Sequence, residues 1–441
     1  MTLDMTRGRP VGLLLRFAFP LMLSSLLQQL YTLCDSLIVG RLLGTIAFTA
    51  TGSAAYLNWF PLSMLQGAIQ GFGVTLSQQF GARDRVSFHR FFAATIVLSL
   101  LIGLLFSFFG VAFAGTLLQK VNTPVQLQED ALRYIRVLWM GLLVTALLNV
   151  ATTALLAIGD SRTPLVALAL SSVVNIVLDL ALIAWLDMGV EGAALATILA
   201  QLTAAAWSAM GLLRVRELLP GREDFRLKWA TVKELLRLGF PRLLSSGVIA
   251  SGELVVQSAI NACGVVFVTG MTAARRYFNL TNVIGYGLEG ALATYVGQNY
   301  GAGEKSRIIK GTRSATTMGF GAAVLTGMAV FVMAESMIRF FVPDATAETI
   351  RVGMDALRIQ AAFLFGLYLL CEYRAAIQGM GNAMIPMITG FLELALRIGA
   401  TLMLPRFLGQ EGLYFTDAVA WVPTMLVLVV SYHVLKRKNL R

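Results

Sequence analysis

Two acidic residues in the first half of the chain, Asp35 and Asp179, stand inside long apolar stretches. An ionisable side chain in membrane hydrocarbon is costly unless it is paired or hydrated, so such a residue is a functional candidate by default. Asn175 precedes Asp179 by one helical turn and projects from the same helix face, and Thr197 stands on the next predicted helix. Two carboxylates, an amide carbonyl and a hydroxyl would form an oxygen cage for a hard monovalent cation such as Na⁺. The two acids would alternatively hold a proton between them.

The depth of these residues along their helices supports a common site. At 1.5 Å per residue, Asp179 lies ~22 Å and Asp35 ~27 Å from the cytoplasmic start of its helix, and Thr197 lies ~9 Å from an outer start. All three then fall in the outer half of the bilayer. A purely structural role, in which each acid pairs with a neighbouring helix, stays open. No Lys or Arg of the first half stands at that depth, which favours the cation or proton site.

The elements that position these residues follow from composition. The chain is 57% hydrophobic and 13% charged, against about 25% charged for an ordinary soluble domain. Apolar runs near 20 residues recur throughout, each long enough to cross ~30 Å of hydrocarbon. The sequence predicts an all-α polytopic membrane protein with twelve transmembrane helices, whose approximate cores are 17–39, 53–79, 91–115, 134–158, 164–186, 192–213, 238–262, 277–299, 314–334, 356–380, 385–405 and 412–435.

The second half of the chain repeats the first. Three groups of residues return at offsets of 221, 220 and 222, namely Phe19-Pro20 as Phe240-Pro241, Ser77–Ala82 as Gly297–Ala302, and Gly159-Asp160 as Gly381-Asn382. The repeat predicts two six-helix lobes of the same orientation, 1–213 and 238–441, joined by a basic cytoplasmic linker at 214–237. Internal repeats are usual in alternating-access transporters, which bind their substrate near the repeat interface. A duplicated scaffold without a transport role is the alternative.

The net charge of +11 is explained by topology. With both termini in the cytoplasm, 22 of the 35 Lys and Arg residues fall in inner segments and 7 in outer segments. This asymmetry follows the positive-inside rule and predicts a multi-pass protein of the inner membrane. It leaves no basic patch that needs nucleic acid as a partner. The first apolar segment is too long for a cleaved signal and is expected to stay as the first helix.

Other chemistries find little support. The three Cys and two His residues are scattered, which argues against a disulfide framework or a zinc centre. We find no catalytic constellation, so we expect no enzyme, and no cofactor apart from Na⁺ or H⁺ as coupling ion. The expected partners are small organic molecules and the lipid bilayer, with the protein functional as a monomer.

The second lobe departs from the first at the equivalent positions. The repeat maps Asn175 onto Arg397 and Thr197 onto Asp417, with Glu393 one turn before Arg397. We interpret Arg397 as a fixed internal cation in a charge network with Glu393 and Asp417, which leaves the first lobe as the only coupling site. A plain helix pair between Glu393 and Arg397 is the alternative.

The sequence gives only weak evidence for which residues line the substrate cavity. Methionine and phenylalanine are abundant, with 18 and 26 residues, and suit a promiscuous apolar surface. Ordinary helix packing accounts for the same residues and is the favoured interpretation. The polar and soft side chains that we consider for the cavity are Glu253, Glu289, Gln28, Tyr31, Met64 and Gln66.

Several segments of the sequence resemble motifs of the multidrug and toxic compound extrusion (MATE) transporters, in the bacterial DinF-like branch. These segments are Leu33–Arg41, Gly159–Pro164 with Asn175–Asp179, and Gly297–Gly303. The resemblance covers the whole chain. It implies a twelve-helix, two-lobe fold, cation-coupled export of amphiphilic compounds, and a cation or proton site at Asp35, Asn175, Asp179 and Thr197. Some relatives couple through an acid of the seventh helix; Glu253 lies further along that helix than this role would require.

Together these features predict a secondary antiporter that exports organic, cationic or amphiphilic compounds in exchange for Na⁺ or H⁺. The alternative is a flippase for a lipid-linked precursor. That function predicts helices beyond the twelve or a strongly cationic central cavity, and neither is evident in the sequence.

Overall fold

The computed structural model describes residues 3–121, 123–342 and 345–440, and this part of the chain is helical without strands. A π-helical segment at Leu180–Trp185 follows α5, and 3₁₀ segments lie at Arg216–Leu218, Arg222–Phe225 and Gly409–Phe415. The thirteen α-helices are α1 Pro10–Gly81, α2 Arg85–Lys120, α3 Val125–Met140, α4 Leu142–Ala157, α5 Arg162–Asp179, α6 Gly189–Leu213, α7 Trp229–Asn261, α8 Val265–Gly301, α9 Lys305–Phe341, α10 Ala347–Ala362, α11 Leu364–Gly379, α12 Met384–Leu408 and α13 Thr416–Asn439.

Helical structure lies at all twelve predicted positions, but the helix boundaries differ from the predicted cores. The first two cores belong to α1, which runs for 72 residues and is broken at Gly44, where φ is 84°. An unbroken helix of this length would extend ~108 Å, more than three times the hydrocarbon thickness. Glycine adopts positive φ without steric cost. The break therefore separates two spans within one helical segment.

Two of the predicted spans are each built from a pair of helices. α3 with α4 and α10 with α11 bend by 46° at a short break. Across the described residues, seven helical segments are long and apolar enough to cross a membrane, or nine when each bent pair counts as one span. The seventh segment, Met384–Lys438, contains both α12 and α13.

The residues repeated near Gly159 and Gly381 form the same chain reversal in both halves. Both glycines have positive φ, 85° and 81°, as expected where a helix ends in a left-handed residue. The following Asp160 accepts hydrogen bonds from the backbone N–H of Thr163 at 3.0 Å and from its hydroxyl at 2.7 Å. Asn382 accepts from the backbone N–H three residues on, at 3.2 Å. Both halves therefore contain the same motif, in which a glycine ends one helix and the following Asp or Asn side chain caps the next.

α2 begins with a similar cap at the loop after α1. The carboxylate of Asp84 accepts hydrogen bonds from the backbone N–H of Ser87 at 3.0 Å and from its hydroxyl at 2.7 Å. These hydrogen bonds hold the pKa of the Asp84 carboxyl below its usual range. The ionised side chain compensates the unpaired N–H groups of the helix start.

The chain divides into two compact units, residues 3–4 with 23–243 and residues 5–22 with 244–440. The core of the first unit is built mainly by α1 to α4 and α6 around Phe72, Phe88 and Trp139, all buried. Small residues let its helices approach closely. Gly71 faces Gly239, whose Cα lies 2.7 Å from the position that a Cβ of residue 71 would take. The predicted lobe boundaries at 213 and 238 stay a prediction.

In the second unit, the start of the chain is tied to α8 and α9. The guanidinium of Arg307 donates to the carbonyl oxygens of Met5 and Gly8, both at 3.0 Å, and to the Asn299 side chain at 2.9 Å. The Met5 N–H donates to the Gln298 side chain at 2.9 Å. Gln298 and Asn299 at the end of α8, together with Arg307, therefore anchor backbone groups of the residues that precede α1.

The close approach at Gly71 makes a testable prediction. In Gly71→Ala, the new methyl group would meet the backbone of residues 238–239, which cannot move cheaply, so we expect a loss of about 1–3 kcal/mol of stability. Gly52→Ala is the matched control, because a Cβ there meets nothing within 4 Å. Thermal unfolding of the purified protein measures both. Equal melting temperatures for the two variants would show that the two backbones are not in contact.

Candidate functional site

The acidic cluster of the first unit is built on α1, α5 and α6. Asn175 and Asp179 of α5 are both fully buried. The π-helical segment begins at Leu180, directly after Asp179, and such segments frequently occur at functional sites because they interrupt the regular hydrogen-bond ladder. The carboxyl group of Asp35 on α1 lies beside that of Asp179, close enough for a hydrogen bond when one of the two carries a proton. The structure thus brings the two predicted acids together.

Thr197 reaches the same region through Tyr31. The Tyr31 hydroxyl lies one helical turn before Asp35 and donates to Oγ1 of Thr197 at 3.4 Å. The Thr197 hydroxyl itself donates to the carbonyl oxygen of Ala193 at 3.1 Å. Tyr31, considered from the sequence as a residue of the substrate cavity, is therefore a neighbour of the acidic cluster. Tyr134 of α3 also lies within electrostatic range of both acids; nothing in the sequence distinguishes it from an ordinary core aromatic.

The polar atoms of this cluster lack hydrogen-bond partners among the described residues. These buried atoms are Oδ1 of Asp35, both side-chain oxygens of Asp179, and both polar side-chain atoms of Asn175. Buried polar groups in proteins are nearly always paired, so five unpaired atoms at one place require an explanation. A bound cation or a shared proton would satisfy them. Among the described residues, no group of three or more His, Cys, Asp or Glu side chains forms a metal site, so the available donors are two carboxylates with neutral oxygens.

The second unit contains a buried ion-pair network instead. The Glu393 carboxylate accepts hydrogen bonds from Nη2 of Arg397 at 3.0 Å and from Nη2 of Arg374 at 2.7 Å. Arg397 also pairs through Nε with Asp417 at 3.2 Å. The four side chains are between 5% and 14% exposed, so water does little to stabilise these charges. The predicted network of Glu393, Arg397 and Asp417 gains a fourth member, Arg374.

The remaining sequence candidates lie on α1, α7 and α8. On α1, Gln28 is exposed, whereas Met64 and Gln66 are half-buried. On α8, Glu289 is half-buried, and on α7 Glu253 is exposed. Glu253 is within electrostatic range of Arg397, and its neighbour Gly252 lets α7 approach the Arg397 guanidinium.

One buried acid was not among the residues predicted from the sequence. Glu372 of α11 is fully buried, and neither of its carboxyl oxygens has a hydrogen-bond partner among the described residues. The available signal was the residue type itself, an acid inside an apolar helix, which is the same signal that singled out Asp35.

The arrangement agrees with a match to a known family. The MatE family model matches residues 20–181 and again residues 241–403. The chain belongs to the MatE family. The two matches begin 221 residues apart, in agreement with the repeat offsets in the sequence, and together they cover most of both halves.

Several relatives match along most of the chain. It is 28% identical to the probable multidrug resistance protein YpnP of Bacillus subtilis, over 93% of this chain and 92% of that protein. It is 26% identical to the probable multidrug resistance protein NorM of Thermotoga maritima, over 86% and 82% of the two chains. DNA damage-inducible protein F of Escherichia coli is 26% identical over 73% of this chain and 70% of its own. The resemblance to the MATE family and its DinF-like members is confirmed.

Solved structures confirm the fold. A MOP superfamily transporter from Pyrococcus furiosus superposes with a TM-score of 0.90 at 24% identity, covering 99% of this chain and 98% of its own. This MatE protein is therefore an all-α integral membrane transporter with the two-lobe, internally repeated MATE fold.

The buried network of the second unit makes a testable prediction. In Glu393→Gln, Arg374 loses its carboxylate partner and Arg397 loses one of its two carboxylate partners. The two buried guanidinium groups then have less negative charge to balance them. Breaking a buried pair in this way costs roughly 3–5 kcal/mol. Glu335→Gln is the control, because its pair with Arg339 is more than half exposed and contributes about 0–1 kcal/mol. Thermal unfolding in detergent measures both variants, and a loss no larger than the control's would contradict a structural role for the network.

Proposed function

We propose that this MatE protein is a secondary antiporter that exports organic, cationic or amphiphilic compounds in exchange for Na⁺ or H⁺. The observation that carries the proposal is the group of unpaired polar atoms at Asp35, Asn175 and Asp179. The relatives YpnP and NorM are both named as probable multidrug resistance proteins, which supports a drug-like substrate.

The coupling argument rests on charge. Two adjacent carboxylates inside a membrane repel each other and are poorly solvated, so they bind a proton or a metal cation strongly. A ligand shifts the equilibrium between two conformations only by as much as its affinities for them differ. The cluster couples ion flow to export if the inward- and outward-open states solvate these two acids differently.

The ion-pair network of the second lobe supports a single coupling site. At the positions equivalent to Asn175 and Thr197 stand Arg397 and Asp417, which pair at 3.2 Å. A guanidinium in that place repels a second cation and neutralises the nearby carboxylates. Arg397 thus acts as a permanent internal cation, and coupling is assigned to the first lobe. A metal ion bound beside Arg397 would contradict this assignment.

Orientation and assembly complete the proposal. The excess of Lys and Arg in the predicted inner segments supports an inner-membrane protein with both termini in the cytoplasm. We assign transport to the monomer, because alternating access by two internal repeats needs no second copy of the chain.

Efflux of a fluorescent cationic dye from proteoliposomes tests the proposal, with a sodium gradient alone and a pH gradient alone as driving forces. Asp35→Asn and Asp179→Asn remove the charge while keeping the side-chain shape, and we expect each to lower gradient-driven efflux about tenfold or more, equivalent to about 1.4 kcal/mol. Asp187→Asn is the matched control, since Asp187 is exposed, lies eight residues after Asp179, and has a positive φ that asparagine tolerates.

The driving force identifies the ion. If a sodium gradient drives efflux and Asp35→Asn abolishes it, the cluster is a metal site. If a pH gradient drives efflux and Asp35→Asn abolishes it, the cluster is a protonation switch. Wild-type protein that shows no gradient-dependent efflux would contradict antiport and favour the flippase for a lipid-linked precursor.

The hydrogen bond from Tyr31 to Thr197 gives a separate prediction. Tyr31→Phe removes one neutral hydrogen bond beside the acids, a loss of about 0.5–1.5 kcal/mol. We expect the concentration of coupling ion at half-maximal efflux to rise about two- to tenfold, with little change in the dye concentration at half-maximal rate. The opposite pattern would assign Tyr31 to the substrate cavity. Tyr56→Phe, at an exposed tyrosine of the same helix, is the control.

A further inference from the structure

The linker that joins the two halves of the chain has large apolar side chains at its surface. Phe225, Leu227 and Trp229 follow one another at every second residue and are 43%, 36% and 72% exposed. Arg226 and Lys228 alternate with them and are also exposed. Exposed apolar side chains that are surrounded by charged ones mark interaction sites. The partner of this segment must therefore be both apolar and anionic.

The first turns of α7 extend the same pattern along one helix face. At 3.6 residues per turn, Lys233, Arg237 and Phe240 lie within about 80° of Trp229 around the helix axis, and all four side chains are exposed. The opposite face carries Leu235, which is fully buried in the core of the first unit. The exposed face thus has two basic side chains between two aromatic rings. Helices that lie at a membrane surface have this composition.

α2 holds the linker in a defined position. Nη1 of Arg85 pairs with the Glu217 carboxylate at 2.6 Å, and Nε2 of His89 lies 2.8 Å from the Glu217 carbonyl oxygen. Nδ1 of His89 lies 3.9 Å from the Asp224 carboxylate. Leu218, between these contacts in sequence, is buried in the core of the first unit. The chain that leads into the exposed apolar side chains is therefore fixed.

The contacts with α2 also set the level of the linker relative to the bilayer. His89 precedes the predicted hydrocarbon core of its helix, residues 91–115, by two residues or ~3 Å. The headgroup region extends ~5–7 Å beyond the hydrocarbon on each side. Asp224, beside His89, then lies at the level of the headgroups, and Phe225 adjoins it. The 33 residues of α7 extend ~50 Å, ~20 Å more than the hydrocarbon thickness, so its first turns reach the same region.

Charge decides which partner this surface fits. Residues 225–233 contain three basic and no acidic side chains, a net charge of +3. Basic side chains near a bilayer are attracted to anionic phospholipids, and aromatic rings favour the boundary between headgroups and hydrocarbon. The bilayer surface offers both at the level where α2 holds the linker. A soluble acidic partner would have to displace the headgroups that surround the segment there.

We propose that residues 225–233, the linker stripe, bind anionic phospholipid headgroups at the surface of the bilayer. The rings of Phe225 and Trp229 lie at the hydrocarbon boundary, and the ammonium and guanidinium groups of Arg226, Lys228 and Lys233 contact the phosphates. This binding is independent of the proposed antiport, because it needs only the linker, its contacts with α2 and the membrane.

Quenching of tryptophan fluorescence by brominated phospholipids tests the proposal on the full-length protein in lipid nanodiscs. The difference between wild type and Trp229→Phe isolates the emission of Trp229 from that of the other tryptophans. Two preparations contain the same mixture of neutral and anionic phospholipid, with bromine on equal amounts of either the anionic or the neutral lipid. We expect the brominated anionic lipid to quench Trp229 at least about twofold more than the neutral one. No quenching of Trp229, or equal quenching by both lipids, would overturn the proposal.

A charge variant with a matched control tests the basic side chains. The linker variant replaces three of them by glutamine, Arg226→Gln, Lys228→Gln and Lys233→Gln. The control variant makes the same replacement at the end of α13, at Lys436, Arg437 and Lys438. The ratio of anionic to neutral quenching should fall to about one in the linker variant and stay at the wild-type value in the control. A linker variant that keeps the wild-type ratio, or a control that loses it, would contradict binding by the linker stripe.

Trypsin digestion of wild type in nanodiscs needs no substitution and keeps the test decisive if a variant does not fold. Trypsin cleaves after exposed basic residues, and bound headgroups should protect the linker stripe. We expect cleavage after Arg226 and Lys228 to be about twofold or more slower in anionic than in neutral nanodiscs. Cleavage after Arg437 in the same molecules is the internal control and should change less. Equal slowing at all three sites, or no slowing in the linker, would overturn the proposal.

Discussion

The cost of a charge in an apolar interior governs the polar architecture of this protein. Each buried ionisable group must be paired, neutralised or hydrated. In the second unit, Arg374, Glu393, Arg397 and Asp417 meet this requirement by forming ion pairs of 2.7 to 3.2 Å. In the first unit, Asp35 and Asp179 lie side by side with polar atoms that have no partner among the described residues. The ion pairs of the second unit balance two acids against two arginines, whereas no positively charged side chain is paired with the two acids of the first unit among the described residues.

The internal repeat makes this contrast informative, because both halves use the same backbone. The chain reversals at Gly159-Asp160 and Gly381-Asn382 use the same positive φ and the same side-chain cap. These residues are needed wherever one helix ends and the next begins, whatever the lobe does. The residues that differ, Asn175 against Arg397 among them, are buried polar groups that no backbone turn requires. The differences between the halves therefore point to function, whereas the similarities reflect folding.

The sequence predicts where the helices lie better than it predicts which side chains of different helices contact each other. Apolar runs near 20 residues located every predicted span, because crossing the bilayer fixes both length and composition. The positions of Asp35 and Asp179 along their helices predict one common depth, and the structure places the two acids together. The pairing of Arg374 with Glu393 was not predicted, since it depends on the rotation of α11 against α12. The burial of Glu372 depends on a glycine of α9, which no spacing within α11 reveals.

Charge counting limits what the first-lobe cluster can bind if it acts as the coupling site. Asp35 and Asp179 together carry two negative charges when ionised, and a single monovalent cation would leave one of them uncompensated. Two carboxylates held together in a medium of low dielectric favour sharing one proton. With that proton in place, one further monovalent cation, either Na⁺ or a second H⁺, makes the cluster neutral. The neighbouring Tyr31 and Thr197 carry no charge and do not alter this balance. One coupling ion per transport cycle is therefore the number that neutralises the site, whichever ion the protein uses.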